Sequence, residues 1–291
     1  MHSALQYLSS MLQFFDVGAQ QKWIGAAILG FALALPQENT SILKALLFLF
    51  GLVPVLSYIM SINDCFDVEI DKLKEEYTGK QRIVGVIISR DVALGLSGFV
   101  LVIGLMFSWY VSISFFQIAL LMAFIGTIYS VPPLRLKMKY PYSTSLLFIG
   151  DFLPFLAGIS VLSFIDWSVV VMSSSFSFIA LVHRFQHEID YFEVDLETGK
   201  KTIAVVNGVR VTRMLRNICI FVGIIEFLVF ILLGWFSPSF LFLFLAYLVL
   251  CVEYSIWLDH LPLRLQNVIS PVLMFSGFLF FFLVAVVRLI A

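Results

Sequence analysis

Residues 43–72 decide the architecture of this chain, and they read LKALLFLFGLVPVLSYIMSINDCFDVEIDK. The first part, residues 43–62, is mostly apolar, and Lys44 is its only charged residue. Its length matches the roughly 20 residues that a helix needs to cross a bilayer. The acids Asp64, Asp67, Glu69 and Asp71 follow directly. This pattern predicts a membrane-spanning helix that carries a polar site at its end.

The composition of the whole chain agrees with this prediction. Of its 291 residues, 61% are hydrophobic and 13% are charged, whereas soluble domains carry about 25% charged residues. This excludes a soluble enzyme and a disordered chain. Eighteen basic residues against 19 acidic ones exclude a nucleic-acid-binding protein, which needs a basic surface. We therefore expect an all-α, polytopic membrane protein.

Apolar segments between polar or helix-breaking residues predict nine spans. They lie near 23–35, 43–62, 91–109, 113–131, 146–164, 168–189, 211–235, 237–257 and 269–290. Residues 1–22 carry apolar side chains at helical spacing and are expected to form an amphipathic helix on the membrane surface. We interpret residues 1–291 as one integral-membrane domain.

The basic residues orient these spans. With nine spans, 16 of the 18 Lys and Arg residues fall on one side, and only Lys44 and Arg288 fall on the other. By the positive-inside rule the N-terminus and the even-numbered loops are cytoplasmic. Two charged segments, 63–90 and 190–210, are therefore expected to be cytoplasmic active-site loops.

The first acidic cluster comprises Asn63, Asp64, Asp67 and Asp71. If the second span continues as a helix, Asn63, Asp67 and Asp71 lie on one face, where like charges repel. A divalent cation removes this repulsion, and ligands that are all oxygen favour Mg²⁺ or Mn²⁺ over zinc. The alternative is a solvated helix end without a ligand.

The second acidic cluster gives a weaker signal. It contains Asp190 and Asp195, and Lys200 and Lys201 follow as groups that can bind phosphate oxygens. The segment Gly79-Lys80-Gln81-Arg82-Ile83 after the first cluster resembles Gly199-Lys200-Lys201-Thr202-Ile203 after the second. Internal repeats of this kind are common in polytopic membrane proteins.

These motifs resemble those of the UbiA superfamily of intramembrane prenyltransferases. The resemblance rests on NDxxDxxxD at Asn63–Asp71, on Tyr129-Ser130-Val131-Pro132-Pro133-Leu134-Arg135-Leu136-Lys137, and on the DxxxGxKT pattern of Asp195–Thr202. The family's second motif reads DxxxD, but its first position here is Tyr191, with Asp190 one residue earlier. Which of the two residues takes that position stays open. The PxRP segment of the family is Gly79–Arg82 here.

The resemblance implies transfer of a prenyl group from a prenyl diphosphate to a lipophilic acceptor in the membrane. It implies two pseudo-repeated four-helix halves plus one helix, with a cytoplasmic polar cap over an apolar central cavity. The implied partners are geranyl to geranylgeranyl or longer diphosphates, an aromatic or other lipophilic acceptor, and membrane lipid. The implied cofactor is Mg²⁺, two ions, with Mn²⁺ as a substitute.

The same resemblance assigns roles to residues. Catalytic roles fall to Asp67, Asp71, Asp195 and Tyr129. Substrate binding falls to Asn63, Lys80, Arg82, Arg135, Lys137, Lys200 and Lys201. Asp151 joins this set on its position alone, since an acid within a span is a functional candidate by default; it is expected to bind the acceptor or to stabilise the cation, and a polar contact between helices is the alternative. Metal binding falls to Asn63, Asp64, Asp67, Asp71, Asp190 and Asp195.

Two other functions fit a polytopic chain with acidic residues. A secondary transporter also has many spans and buried acids, but it places them near the bilayer midplane. A CDP-alcohol phosphotransferase needs a DGxxAR…GxxxDxxxD motif, which the sequence lacks. The acceptor, the prenyl chain length and the oligomeric state stay open.

Overall fold

A computed structural model describes residues 14–15, 20–34, 42–78, 83–162 and 165–234. Two compact units make up the chain. Unit 1 comprises residues 1–21 and 39–136, and unit 2 comprises residues 22–38 and 137–291. The regular structure of the described residues is helical, which confirms the predicted all-α class for this part of the chain.

The helices of the described part are numbered in chain order. They are α1 (Gln21–Ala34), α2 (Ile42–Phe66), α3 (Val68–Thr78), α4 (Arg90–Val111), α5 (Ile113–Ser130), α6 (Tyr142–Ile159), α7 (Trp167–Asp190), α8 (Phe192–Glu197), α9 (Ile203–Asn207) and α10 (Val209–Leu232). A 3₁₀ turn, Leu136–Met138, lies between α5 and α6.

Unit 1 is built around α2, which packs against both α4 and α5. Polar side chains join these helices inside the apolar interior. Ser97 donates a hydrogen bond to Ser61 at 2.7 Å, and the Tyr58 and Thr127 hydroxyls lie 2.6 Å apart. Such bonds satisfy polar groups that would otherwise be buried alone, and they hold the end of α2 in place.

A single residue separates α4 from α5. The Ser112 N–H donates to the Ser108 carbonyl at the end of α4, and its hydroxyl accepts the Phe115 N–H at the start of α5. A serine is favoured here because it satisfies backbone groups that a helix end leaves open.

In unit 2, α7 packs against α6 and α10, and α1 packs closely against α6. A β-carbon at Gly158 would lie 1.9 Å from the Ala27 carbonyl oxygen, and one at Gly30 would lie 2.2 Å from the Phe155 carbonyl oxygen. Only glycine permits this approach of two backbones.

Asp166 caps α7, where hydrogen bonds from Ser168 and from the Val169 backbone lower the pKa of its carboxyl.

Six described helices, of 18–25 residues, are long and apolar enough to cross a membrane. The first predicted span corresponds to the shorter helix α1. The predicted spans at 237–257 and 269–290 lie outside the described residues, as does most of the expected amphipathic helix at 1–22. The count of nine spans stays a prediction.

Two boundaries differ from the sequence-based expectation. The second span was expected to end near 62, but α2 continues to Phe66 and carries the first acids. The fifth was expected at 146–164, but α6 runs from Tyr142 to Ile159, directly after Pro141. Proline suits a helix start because its missing N–H has no helical partner there. The segment 63–90, expected as a loop, contains α3.

Candidate active site

The first acidic cluster lies where α2 ends and α3 begins. Asn63 and Asp64 are half-buried in the last turn of α2, while Asp67 lies between the two helices and is 5% exposed. Asp71 and Glu69 lie in the first turn of α3. The expected continuous helical face is therefore interrupted at Asp67. Acids in a first turn are stabilised by the helix dipole, which favours a new helix start at this point.

Arg135 is the counter-ion of Asp67. Its Nη2 donates to Asp67 Oδ1 at 3.0 Å and to the Phe66 carbonyl at 2.7 Å. The expected repulsion among the acids is thus partly offset by a cation of the protein itself. Arg135 Nε is buried and finds no acceptor among the described residues. The Arg135 backbone has φ = 39°, a conformation uncommon for residues other than glycine.

Asn63 is held by a residue that the sequence analysis did not assign. The buried Ser130 hydroxyl donates to Asn63 Oδ1 at 3.1 Å. The signal was available, since Ser130 stands in the Tyr129–Lys137 motif. Tyr129, the residue before it, is half-buried at the end of α5. Ser130 with Asn63 and Arg135 with Asp67 thus form two hydrogen-bonded pairs within unit 1.

The second acidic cluster is organised around Asp195, which is fully buried in α8. Its Oδ1 accepts the Lys200 ammonium at 2.9 Å, and Lys200 is only 7% exposed. Gly199 between them has φ = 68°, which glycine adopts without strain and which turns the chain back toward α8. No described residue donates a hydrogen bond to Asp195 Oδ2, which is also buried.

Two segments that carry lysines are joined near this aspartate. The Lys201 N–H donates to the Met138 carbonyl at 3.2 Å, so the segment after Asp195 is joined to the 3₁₀ turn that carries Lys137. Lys137 is 3% exposed, whereas Lys201 is exposed. The structure therefore joins the backbone of the segment that carries Lys137 to the segment that carries Lys200 and Lys201, which the sequence placed in two motifs.

Glu188 supports the second cluster, although the sequence analysis gave it no role. It is fully buried. One oxygen accepts Arg184 Nε at 3.1 Å, and the other accepts the Ile203 backbone N–H at 3.1 Å. Because Ile203 begins α9, Glu188 fixes the far end of the segment that carries Lys200 and Lys201.

Asp190 is the exposed last residue of α7 and has a different set of partners. Gln186 Nε2 donates to Asp190 Oδ1 at 2.9 Å, and the buried Arg216 of α10 donates to the side-chain oxygen Oε1 of Gln186. Arginine can only donate, so it orients the Gln186 amide with its N–H group toward Asp190. Tyr191 packs its ring on His187, with 4.4 Å between centroids.

Asp151 lies inside the membrane-spanning helix α6 and is 5% exposed. Trp23 of α1 donates its indole N–H to Asp151 Oδ1 at 2.7 Å.

Lys80 and Arg82, which the resemblance assigned to substrate binding, lie outside the described residues.

The donor groups of both clusters suit a divalent cation. Carboxylate and amide oxygens are the ligands that Mg²⁺ prefers, and the buried, unpartnered Oδ2 of Asp195 is an oxygen that a cation would satisfy. Within the described ranges, no three or more His, Cys, Asp or Glu side chains gather as a metal site. Mg²⁺ is usually held by one or two carboxylates together with substrate phosphates.

One known protein family matches a range of this sequence that contains both acidic clusters. The sequence profile of the UbiA prenyltransferase family matches residues 24–275. The chain belongs to this family. No curated protein sequence matches the chain closely enough to count as a relative. The family assignment confirms the resemblance that the motifs predicted.

Solved structures of UbiA proteins share the fold. A UbiA homologue from Archaeoglobus fulgidus bound to DMAPP and Mg²⁺ has a TM-score of 0.72 and 19% identity, over 92% of this chain and 97% of that chain. Its complex with GPP and Mg²⁺ has a TM-score of 0.73 and 18% identity, over 92% and 98%. A digeranylgeranylglyceryl phosphate synthase has a TM-score of 0.65 and 21% identity, over 96% and 99%. The described helices thus share the UbiA fold with these structures.

Proposed function

We propose that this protein transfers a prenyl group from a prenyl diphosphate to a lipophilic acceptor within the membrane. The observation that carries the proposal is the UbiA family match over residues 24–275, which includes both acidic clusters. Further support comes from UbiA homologues of the same fold that bind DMAPP or GPP together with Mg²⁺. Substrates from geranyl to geranylgeranyl diphosphate or longer fit this activity.

The acids have the role of holding cations against the diphosphate. Asp67, Asp71 and Asp195 carry catalysis, and Asn63, Asp64 and Asp190 complete the ligand sets for two Mg²⁺ ions, for which Mn²⁺ can substitute. Mg²⁺, when bound, neutralises negative charge on the leaving diphosphate. The partners seen for Asp67 and Asp195 orient each carboxylate, since each accepts a charge-assisted hydrogen bond.

The basic residues bind the diphosphate oxygens directly. Arg135 suits this role because its planar guanidinium can bind two oxygens at once and because its Nε has no acceptor within the described residues. Lys137, Lys200 and Lys201 supply point charges beside Asp195. Lys80 and Arg82 have the same role in the segment that follows the first cluster. Ionisation of the substrate leaves an allylic carbocation, which Tyr129 stabilises with its ring face.

A secondary transporter is the alternative from a different functional class. It would need its acids near the midplane of the bilayer. Among the described residues, Asp67, Asp71, Asp190 and Asp195 lie at helix ends, which favours a site at the membrane surface. We place these ends on the cytoplasmic side, where the positive-inside rule puts the basic loops.

Release of pyrophosphate from geranylgeranyl diphosphate by the purified full-length protein tests the proposal. We expect release with Mg²⁺ and none after chelation. The variant Asp71→Asn should lose about 10²–10³-fold in rate, because a group that stabilises the leaving charge is removed. Glu69→Gln is the matched control, since it makes the same charge change in the same first turn of α3. Equal losses in both variants, or no release by the wild type, would refute the proposal.

A further inference from the structure

Helix α10 begins with arginines that have no acidic residue near them in the chain. Between Glu197 and Glu226 the sequence has five basic residues and no acidic one. Arg210, Arg213 and Arg216 lie within the first eight residues of α10, three positions apart. Like charges at this spacing repel each other, and the N-terminal end of a helix disfavours cations. The stability of the helix therefore does not account for these arginines.

The three arginines differ in their surroundings. Arg216 is 4% exposed and donates to the side chain of Gln186 in α7. Arg210 and Arg213 are exposed, and within the described part of the chain neither side chain makes an ion pair or a hydrogen bond. No Asp or Glu stands three or four positions from either of them. Both guanidinium groups are therefore accessible to an anion from outside the protein.

An apolar strip continues from these two arginines along the exposed side of α10. Met214, Ile218 and Phe221 are 55%, 47% and 65% exposed. They follow Arg210 at steps of three or four residues, which places side chains on one face of a helix. Because α10 is long and apolar enough to cross a membrane, this strip faces lipid chains. Cations at the end of such a span lie at the level of the lipid headgroups.

We infer that Arg210 and Arg213 bind the headgroup of an anionic phospholipid, whose acyl chains lie along the strip of Met214, Ile218 and Phe221. A guanidinium binds two phosphate oxygens at once, and it is more weakly hydrated than an ammonium. A zwitterionic lipid brings its own cation next to the phosphate, so two arginines favour a lipid with net negative charge. This site is separate from the proposed prenyl transfer and does not rest on it.

The orientation of the chain in the membrane is the other role that these cations could have. That role requires positive charge on one side of the membrane, which exposed cations elsewhere, such as Lys72 of α3 and Lys139, supply equally well. A headgroup site instead requires two cations on one helix face beside an apolar strip. Removing two cations from each place therefore separates a lipid site from the effect of overall charge.

The test is phospholipid binding to the purified full-length protein in detergent, with bound lipids counted by native mass spectrometry. The probes are phosphatidylglycerol and phosphatidylcholine with the same acyl chains, so that only the headgroup differs. One variant combines Arg210→Gln with Arg213→Gln. The matched control combines Lys72→Gln with Lys139→Gln, which removes the same charge from other segments. The ratio of the two affinities measures the preference for the anionic headgroup.

We expect the wild type to bind phosphatidylglycerol about tenfold or more tightly than phosphatidylcholine, since each cation near an anionic headgroup strengthens binding roughly fivefold. This preference should fall at least about fivefold in the arginine variant and stay within about twofold in the lysine control. A wild type without the preference, or an equal fall in both variants, would overturn the site. The wild-type result stands even if a variant fails to fold.

Soluble pyrophosphate distinguishes a lipid site from a site for the diphosphate of a substrate. Added with Mg²⁺ at constant ionic strength, it should leave the lipid preference unchanged, because it has no acyl chains to contact the strip. Displacement of the lipid by pyrophosphate would assign Arg210 and Arg213 to the substrate and overturn the inference. Release of pyrophosphate from geranylgeranyl diphosphate tests the proposed function separately.

Discussion

At the scale of single residues, the buried pair of Asp195 and Lys200 links the proposed active site to the stability of the fold. Asp195 is fully buried and Lys200 is 7% exposed, with 2.9 Å between Oδ1 and Nζ. Removing one partner of a buried pair leaves the other charge uncompensated, which costs more than the pair contributed. Loss of either residue therefore affects the folded state as well as the site.

We predict that Asp195→Asn lowers the free energy of unfolding by about 3 kcal/mol and the rate by about 10²–10³-fold. The double variant Asp195→Asn with Lys200→Met should regain stability, because no unpaired charge remains, but should stay inactive. Thermal unfolding without ligand and pyrophosphate release with Mg²⁺ measure the two effects. Recovery of activity together with stability in the double variant would show that Asp195 is structural.

Arg135 differs from Asp195 because its side chain is 30% exposed. An ion pair with such exposure contributes at most about 1 kcal/mol, while a charge-assisted hydrogen bond to a ligand contributes about 1.5–3 kcal/mol. Arg135 should therefore matter more for binding than for folding.

We predict that Arg135→Ala weakens binding of a prenyl diphosphate about tenfold to 100-fold. It should lower the thermal unfolding midpoint less than Asp195→Asn does, because the Arg135 side chain is 30% exposed although Asp67 is buried. Lys139→Ala is the matched control, since Lys139 is an exposed cation a few residues further along the chain. Equilibrium binding of a non-hydrolysable prenyl diphosphate analogue measures the effect. If both variants bind the analogue with equal affinity, Arg135 does not bind the diphosphate, and its role is limited to the ion pair with Asp67.

At the scale of elements, glycine decides how closely α1 and α6 pack. We predict that Gly158→Ala destabilises unit 2 by about 1–3 kcal/mol, as overpacking of a close interface does, because its β-carbon would lie 1.9 Å from the Ala27 carbonyl oxygen. Gly98→Ala in α4 is the control, since nothing lies within 4 Å of its added β-carbon, and alanine there should be neutral or slightly stabilising. The thermal unfolding midpoints of the two variants are measured in the same detergent. Equal midpoints would contradict the close packing of α1 against α6.

At the scale of the whole molecule, the distribution of basic residues predicts the orientation in the membrane. We predict that a cysteine at Lys72 or Glu193, both exposed, is protected from a membrane-impermeant maleimide in intact cells. A cysteine at Trp167, which is 82% exposed at the other end of α7, should react. Labelling is measured before and after permeabilisation in a background without reactive thiols. Reaction at Lys72 or Glu193 from outside would reverse the assigned topology.

The sequence predicted the elements well because their signals are local. An apolar run of sufficient length satisfies its own backbone hydrogen bonds and needs no partner to form a helix in lipid. The helices from α2 to α10 that were expected as spans are found close to the predicted positions. The acids of both clusters were identified for a similar reason, since charges beside apolar runs are visible in the chain itself.

The partners of those acids could not be predicted, because they depend on residues far apart in the chain. Arg135 pairs with Asp67 across 68 residues, and Ser130 bonds Asn63 across 67. Nothing in a local pattern distinguishes Glu188, which is buried and holds Ile203, from its exposed neighbour Asp190. The break between α2 and α3 at Asp67 was missed because the spacing of the acids is equally compatible with a continuous helix.

What the sequence determined by itself is the class of the protein: an all-α membrane chain with two acidic clusters and the motifs of the UbiA family. Hydrophobicity, charge and spacing act along the chain, so they can be read without a structure. Only the tertiary structure decided which charges are neutralised, which oxygen of Asp195 is left without a partner, and which tryptophan holds Asp151. These features follow from helix packing, where contacts depend on distances between segments that the order of residues does not specify.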